Sequence, residues 1–169
     1  MLKKMKRSIL SVFVVLMVVS MGCGGMSNKN IVTDSGRVLP KNFLNMYLVL
    51  DYSKQFSDII GKATNDLMKN NLITNKDKDI IGDVWKKHKK YNNILQYELN
   101  GWYKLLNRGK NINNMDYMFD RLKDVVLQTD VLSDVIEQIA GDDIIIPSGM
   151  IGRIFVLYGN IKEIKNESK

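Results

Sequence analysis

Cysteine, histidine and proline are nearly missing from this chain. Its 169 residues include one cysteine, one histidine and two prolines. A single cysteine excludes a disulfide within the chain, so the fold must be held together by its hydrophobic core. A single histidine excludes the bundle metal sites that need a histidine on each of two helices. The prolines, Pro40 and Pro147, stand at the edges of helical patterns.

Motifs of catalytic sites are also missing. The chain has no glycine-rich phosphate loop and no nucleophile elbow. A Ser–His–Asp arrangement would have to use His88, and paired carboxylates of the glycosidase type need a cleft that a small helical protein seldom offers. We therefore expect a protein that is not an enzyme.

The longest apolar run lies near the amino terminus. The basic residues Lys3, Lys4, Lys6 and Arg7 precede the apolar stretch ILSVFVVLMVV, and small residues follow at Ser20 and Gly22. A basic start, a short apolar run and a small-residue cleavage site define a secretory signal peptide. The run is too short for a transmembrane helix, which needs about 20 apolar residues. Residues 1–22 are therefore predicted to be an export signal.

The only cysteine makes this signal more specific. Residues 20–23, SMGC, resemble the lipobox of bacterial lipoproteins, although Ser20 and Met21 depart from the usual residues. The resemblance implies cleavage before Cys23, a diacylglyceryl thioether on its sulfur, and acylation of the new amino terminus by a fatty acid such as palmitate. It also implies an exported protein anchored to the bacterial cell membrane or outer membrane. The alternative is an ordinary signal peptide with a free cysteine.

The positive charge belongs mainly to the signal. The formal net charge is +7, and removal of residues 1–22 takes away four basic residues and no acidic ones, which leaves +3. The positive net charge of the whole chain therefore does not predict a nucleic-acid partner. The remaining 147 residues are enough for one domain with a sizeable core.

The mature chain divides into a tether, residues 23–38, and a domain, residues 39–169. The stretch 24–37 is rich in Gly, Ser, Asn and Asp and has no apolar periodicity, which is typical of a flexible linker. Beyond it, apolar residues recur at three- and four-residue spacing. In the first segment they are Phe43, Tyr47, Leu48, Tyr52, Phe56, Ile59, Ile60, Ala63 and Leu67.

These patterns predict an all-α, antiparallel bundle of three to four helices, roughly over 40–69, 76–107, 114–140 and 148–163. The third segment has a heptad seam interrupted only by Thr129: Met118, Leu122, Val125, Thr129, Leu132, Ile136 and Ile139. Thr74 or Asn75 is expected to cap the second helix, and Gly109 suits its carboxyl end. A β-hairpin over 143–158 is the alternative for the last segment.

Two patterns resemble metal-binding motifs, but each lacks residues that the motif requires. His88 lies on the apolar stripe of the second helix and has Trp85, not Glu, three residues before it. Residues 75–86 resemble the start of a calcium loop, but Ile80 and Lys86 stand where glycine and glutamate are required. We expect a structural, partly buried histidine, first-turn acids that favour the helix dipole, and no metal or other cofactor.

The strongest surface pattern is WKKHKKY, residues 85–91. Lys86, Lys87, Lys89 and Lys90 point outward from the predicted helix, and Trp85, His88 and Tyr91 point inward. In an exported lipoprotein such a cluster fits anionic headgroups or envelope polymers, although an ordinary solvated helix face has the same pattern.

Together these patterns predict a lipid-anchored envelope protein with a non-catalytic role, binding another envelope protein or an anionic polymer. The alternatives are a carrier with a small-ligand pocket between helices, and a phage or mobile-element lipoprotein that blocks an envelope receptor.

Overall fold

Four helices make up nearly all of the part of the chain that the structure describes. The computed structural model describes residues 32–110, 116–144, 146–147 and 149–167. Helix α1 spans Lys41–Lys69, α2 Asn75–Asn107, α3 Asp116–Ala140 and α4 Met150–Glu167, and a 3-10 turn, Gly141–Asp143, follows α3. The predicted all-α bundle is confirmed. The last segment is a helix rather than the alternative hairpin, and it begins after Pro147.

Each helix runs antiparallel to the one before it, as contacts near both ends of each pair show. Tyr47 of α1 bonds Asn100 of α2, whereas Trp85 of α2 bonds Ser57 of α1, so residue numbers rise along one helix as they fall along the other. α2 and α4 each pack against α1 and α3, which places them at opposite corners of the bundle. α1 and α3 also contact each other across the bundle, so each of these two helices touches all three others.

The helix boundaries follow from local chemistry. Thr74 caps α2 reciprocally with Asp77: the Thr74 Oγ1 accepts from the Asp77 backbone N–H at 3.2 Å, and Asp77 Oδ2 accepts from the Thr74 N–H at 2.9 Å. Gly109 ends α2 with a φ of 82°, as predicted, and Asn71 takes a left-handed φ of 56° after α1. The stretch that resembles a calcium loop is thus the first turns of a helix.

The described part of the predicted tether, residues 32–38, forms a closed turn. Val32 pairs with Val38, and Thr33 N donates to Arg37 O at 2.7 Å. Ser35 N also donates to Asn107 Oδ1 at 3.0 Å, which holds the turn against the carboxyl end of α2. These hydrogen bonds give residues 32–38 a defined conformation, and the rest of the predicted tether, residues 23–31, lies outside the described residues.

Two apolar clusters fill the bundle. The first lies toward the amino end of α1 and contains Phe43, Met46, Val49, Leu50, Leu95, Leu99, Met118, Phe119, Leu122, Val125, Val126, Ile154 and Ile161. The second lies toward its carboxyl end and contains Phe56, Ile60, Leu67, Ile73, Ile81, Leu132, Ile136, Ala140, Ile144 and Met150. The polar residue Ser53 lies on α1 between these clusters and is fully buried.

Candidate functional site

A layer of buried polar side chains crosses the bundle at Ser53. It consists of Ser53 from α1, His88 and Asn92 from α2, and Thr129 from α3, none more than 2% exposed. Ser53 Oγ lies 2.9 Å from both His88 Nε2 and Asn92 Oδ1, and Thr129 Oγ1 lies 3.1 Å from His88 Nε2. Three helices therefore meet through one hydrogen-bonded group, which we call the polar layer.

The hydrogen bonds define the proton positions of the polar layer. Thr129 donates its hydroxyl proton to Val125 O at 2.9 Å, and Ser53 donates to Asn92 Oδ1. With the Asn92 amide in this orientation, both hydroxyls accept from His88 and Nε2 carries a proton. Asn92 Nδ2 lies 3.3 Å from His88 Nδ1 and donates to it. The imidazole is thus neutral, and both of its nitrogens have partners.

Burial keeps the histidine neutral. Its hydrogen-bond partners are hydroxyls and an amide, which offer no negative charge, and the ring of Phe56 meets it edge-on at 5.9 Å. Desolvation of the charged form lowers the pKa of His88 from 6.5 to about 4. The sequence predicted a partly buried histidine, whereas His88 is fully buried.

The distance between Ser53 and His88 would suit a nucleophile and its base, but two features oppose that role. Nε2 holds a proton in this arrangement and cannot accept one from Ser53. None of the four side chains has a surface that a substrate could reach without local opening of the bundle. The polar layer therefore has a structural role. Its hydrogen bonds satisfy the buried polar groups and align three helices.

Sequence reasoning found His88 and the irregular Thr129 but missed Ser53 and Asn92. Asn92 follows His88 by one helical turn, and Ser53 lies at helical spacing between Val49 and Phe56. Both spacings can be found in the sequence, but they indicate a polar contact only once it is known that α1 and α2 pack together.

The described residues do not bring together a metal site. Among them, no group of three or more His, Cys, Asp and Glu side chains is placed to hold a metal ion. Cys23, the predicted lipidation site, lies outside the described residues. Within those residues, no helix is both long enough and apolar enough to span a bilayer.

The second candidate site is the surface of α2. Lys86, Lys87, Lys89 and Lys90 are all exposed, as predicted. Lys86 pairs with Asp83 at 3.3 Å, and Lys89 Nζ lies 4.5 Å from the centre of the Trp85 ring. In the described part of the chain, neither Lys87 nor Lys90 has a carboxylate within ion-pair distance.

An open depression runs along this side of α2. Its lining residues all belong to α2: Trp85, Lys86, Lys89, Lys90, Asn93, Ile94, Tyr97 and Glu98. Tyr97 is 78% exposed, although it is one of the larger aromatic side chains. The depression therefore combines positive charge with exposed aromatic and aliphatic surface.

Trp85 borders this depression because Gly61 lets it approach α1. The indole Nε1 donates to Ser57 O at 2.7 Å. A Cβ at position 61 would lie 2.9 Å from Trp85 Cζ2, too close for ordinary contact. Glycine at this position is thus required by the close packing of the indole against α1.

We expect Gly61→Ala to destabilise the bundle by about 1–3 kcal/mol, because the ring must move from its hydrogen bond. Gly101→Ala is the matched control, since a Cβ there meets nothing within 4 Å. That control should gain up to about 1 kcal/mol from helix propensity. Urea unfolding of both variants measures the difference, and equal stabilisation by the two alanines would show that the Trp85 position is not constrained.

Aromatic side chains pack against one another both within a helix and between helices. Phe43 meets Tyr47 edge-on at 5.1 Å, and Phe119 stacks on Tyr158 at 5.5 Å. This packing gives no support to the predicted alternative of an aromatic-lined ligand pocket. Comparison of the chain with known protein families, with curated proteins and with solved structures finds no match.

Proposed function

We propose that this protein is a bacterial lipoprotein, anchored to the cell envelope through Cys23, whose helical domain is a non-catalytic interaction module. The observation that carries the proposal is the sequence Gly22-Cys23 directly after a basic start and an apolar run. The fold is compatible with this, because its core closes without any disulfide and leaves the only cysteine free for acylation.

Physical chemistry supports such an anchor. Each buried methylene group contributes about 0.8 kcal/mol to membrane binding, and two or more acyl chains hold a protein stably. The diacylglyceryl group and the amino-terminal acyl chain would together meet this requirement.

The non-catalytic part of the proposal rests on the polar layer. The distance between Ser53 and His88 in this layer would suit nucleophilic catalysis, but both side chains are buried and a substrate could not reach them. The accessible polar chemistry lies instead on the helix surfaces, where it favours binding. The binding surface of this proposal is the α2 depression, whose exposed lysines and Tyr97 suit an anionic partner.

The anchor is tested by Cys23→Ala in the full-length chain expressed in bacterial cells. We expect the wild-type protein to incorporate a labelled fatty acid and to enter the detergent phase, because the thioether attaches its lipid. The variant should lack the label and remain with the aqueous phase. Ser27→Ala, four residues after the cysteine, should behave as the wild type. Equal labelling and partitioning of wild type and Cys23→Ala would refute the anchor.

A further inference from the structure

Helix α2 differs in charge from its neighbour α3. Helix α2 carries seven basic and four acidic residues, whereas α3 carries two basic and six acidic residues. We call the exposed stripe Lys86, Lys90, Asn93, Ile94 and Tyr97 the outer α2 face. These residues share one side of the helix because they are spaced by three, four or seven positions.

The composition of the outer α2 face matches the headgroup region of an anionic membrane. A lysine close to an anionic bilayer contributes about 1 kcal/mol to binding. Tyrosine is favoured at membrane interfaces, since its ring is apolar and its hydroxyl remains hydrated. Tyr97 is the most exposed large hydrophobic residue of the described chain, at 78%, and the partly exposed Ile94 lies beside it.

The predicted lipidation site is close in sequence to the turn that packs against one end of the bundle. The turn 32–38 is bonded to Asn107 at the carboxyl end of α2, and only residues 24–31 separate Cys23 from Val32. A chain of this length reaches at most about 30 Å. Since α2 is about 50 Å long, it can lie flat on the membrane with its anchored end close to the lipid.

We propose that the outer α2 face rests on the anionic headgroups of the membrane that holds the lipid of Cys23, with α4 turned away from it. This inference rests on the proposed lipid anchor. Because α2 and α4 occupy opposite corners, contact through α2 leaves α4 outward, with Val156 63% exposed and free for other contacts. Contact through α3 is disfavoured, since it would press Asp120 and Asp134 against negative charge.

The test uses the full lipidated protein, purified in detergent and reconstituted on the outside of vesicles. One set contains phosphatidylglycerol mixed with phosphatidylcholine, and the other contains phosphatidylcholine alone. Flotation first shows whether the protein is held by its lipid. A membrane-impermeant amine reagent and a tyrosine reagent then label exposed side chains, and mass spectrometry reads each site.

We expect a several-fold loss of labelling at Lys86, Lys90 and Tyr97 on the anionic vesicles relative to the neutral ones. Exposed residues on other helices, Lys62 and Lys123, should be labelled equally on both. Salt at about 0.5 M should remove most of the protection, because exposed charges are then strongly screened.

Charge reversal separates a specific face from general attraction. The double variant Lys86→Glu with Lys90→Glu should abolish the protection of Tyr97. The control, Lys62→Glu with Lys123→Glu, changes the net charge equally on two other helices and should leave that protection intact.

The outcomes distinguish the two proposals. A protein that does not float with either vesicle overturns the anchor and, with it, the membrane contact. A protein that floats but shows equal labelling of Lys86 and Lys90 on both vesicles overturns the membrane contact alone. Equal effects of the two charge-reversal pairs would likewise reject the outer α2 face as the contact surface.

Discussion

Leu132→Ala should lower the free energy of unfolding by about 2–5 kcal/mol, the usual cost of removing a fully buried leucine side chain. Leu132 has no exposed surface and belongs to the second apolar cluster, next to the polar layer. The cluster includes side chains of α1, α2 and α4 that cannot close the space without displacing their own contacts, so a cavity should remain. Urea unfolding followed by circular dichroism measures the loss.

Leu127→Ala is the matched control for this experiment. It makes the same chemical change on the same helix, but Leu127 is 49% exposed. We expect a loss of about 0.5 kcal/mol, as for most surface substitutions. Equal losses at the two positions would mean that the heptad seam of α3 does not form the core of the bundle.

Acidification should weaken the bundle through His88. The folded-state pKa is about 4, and the unfolded chain has the ordinary value of 6.5. Between these values the unfolded state binds a proton that the folded state rejects, so stability falls as the pH falls. The contribution of His88 is complete above about pH 6.5 and is lost progressively down to about pH 4. Its size is about 3 kcal/mol, since one pKa unit corresponds to about 1.4 kcal/mol.

Two measurements check this pH dependence. His88 is the only histidine of the chain, so its imidazole signals in a nuclear magnetic resonance titration are unambiguous. They should show a neutral ring, protonated at Nε2, at pH 5. The free energy of unfolding should also fall more steeply between pH 6.5 and 4 in the wild type than in His88→Gln, in which carboxylates still titrate. A histidine that titrates near 6.5 in the folded protein would contradict the burial of the polar layer.

Much of the architecture follows from local patterns in the sequence. The predicted helices 40–69, 76–107, 114–140 and 148–163 compare with observed bounds of 41–69, 75–107, 116–140 and 150–167. Pro40, Thr74 and Gly109 mark boundaries because the conformations that they favour are properties of single residues. The seam of α3 is correct at Leu122, Leu132 and Ile136, all buried, because a regular heptad describes a helix with one buried face.

The buried face of α1 was predicted less well. The sequence placed Tyr47, Tyr52, Ile59 and Ala63 on the buried stripe, but these residues are only partly buried. Met46, Val49, Ser53 and Ser57 are buried instead. The reason is that α1 packs extensively against both α2 and α4, whereas α3 packs extensively only against α2, so α1 buries a wider arc that includes small polar residues. Apolar periodicity alone does not show how many neighbours a helix has.

The sequence by itself determined the helices, their ends, the exposed lysines of α2 and the expectation of a lipid on Cys23. These depend on residue types and on spacing along one segment, where the physical causes are local. Only the tertiary structure decided that Ser53, His88, Asn92 and Thr129 form one polar layer. Hydrogen bonds between helices depend on their relative register, and register results from the packing of the whole core rather than from any single segment.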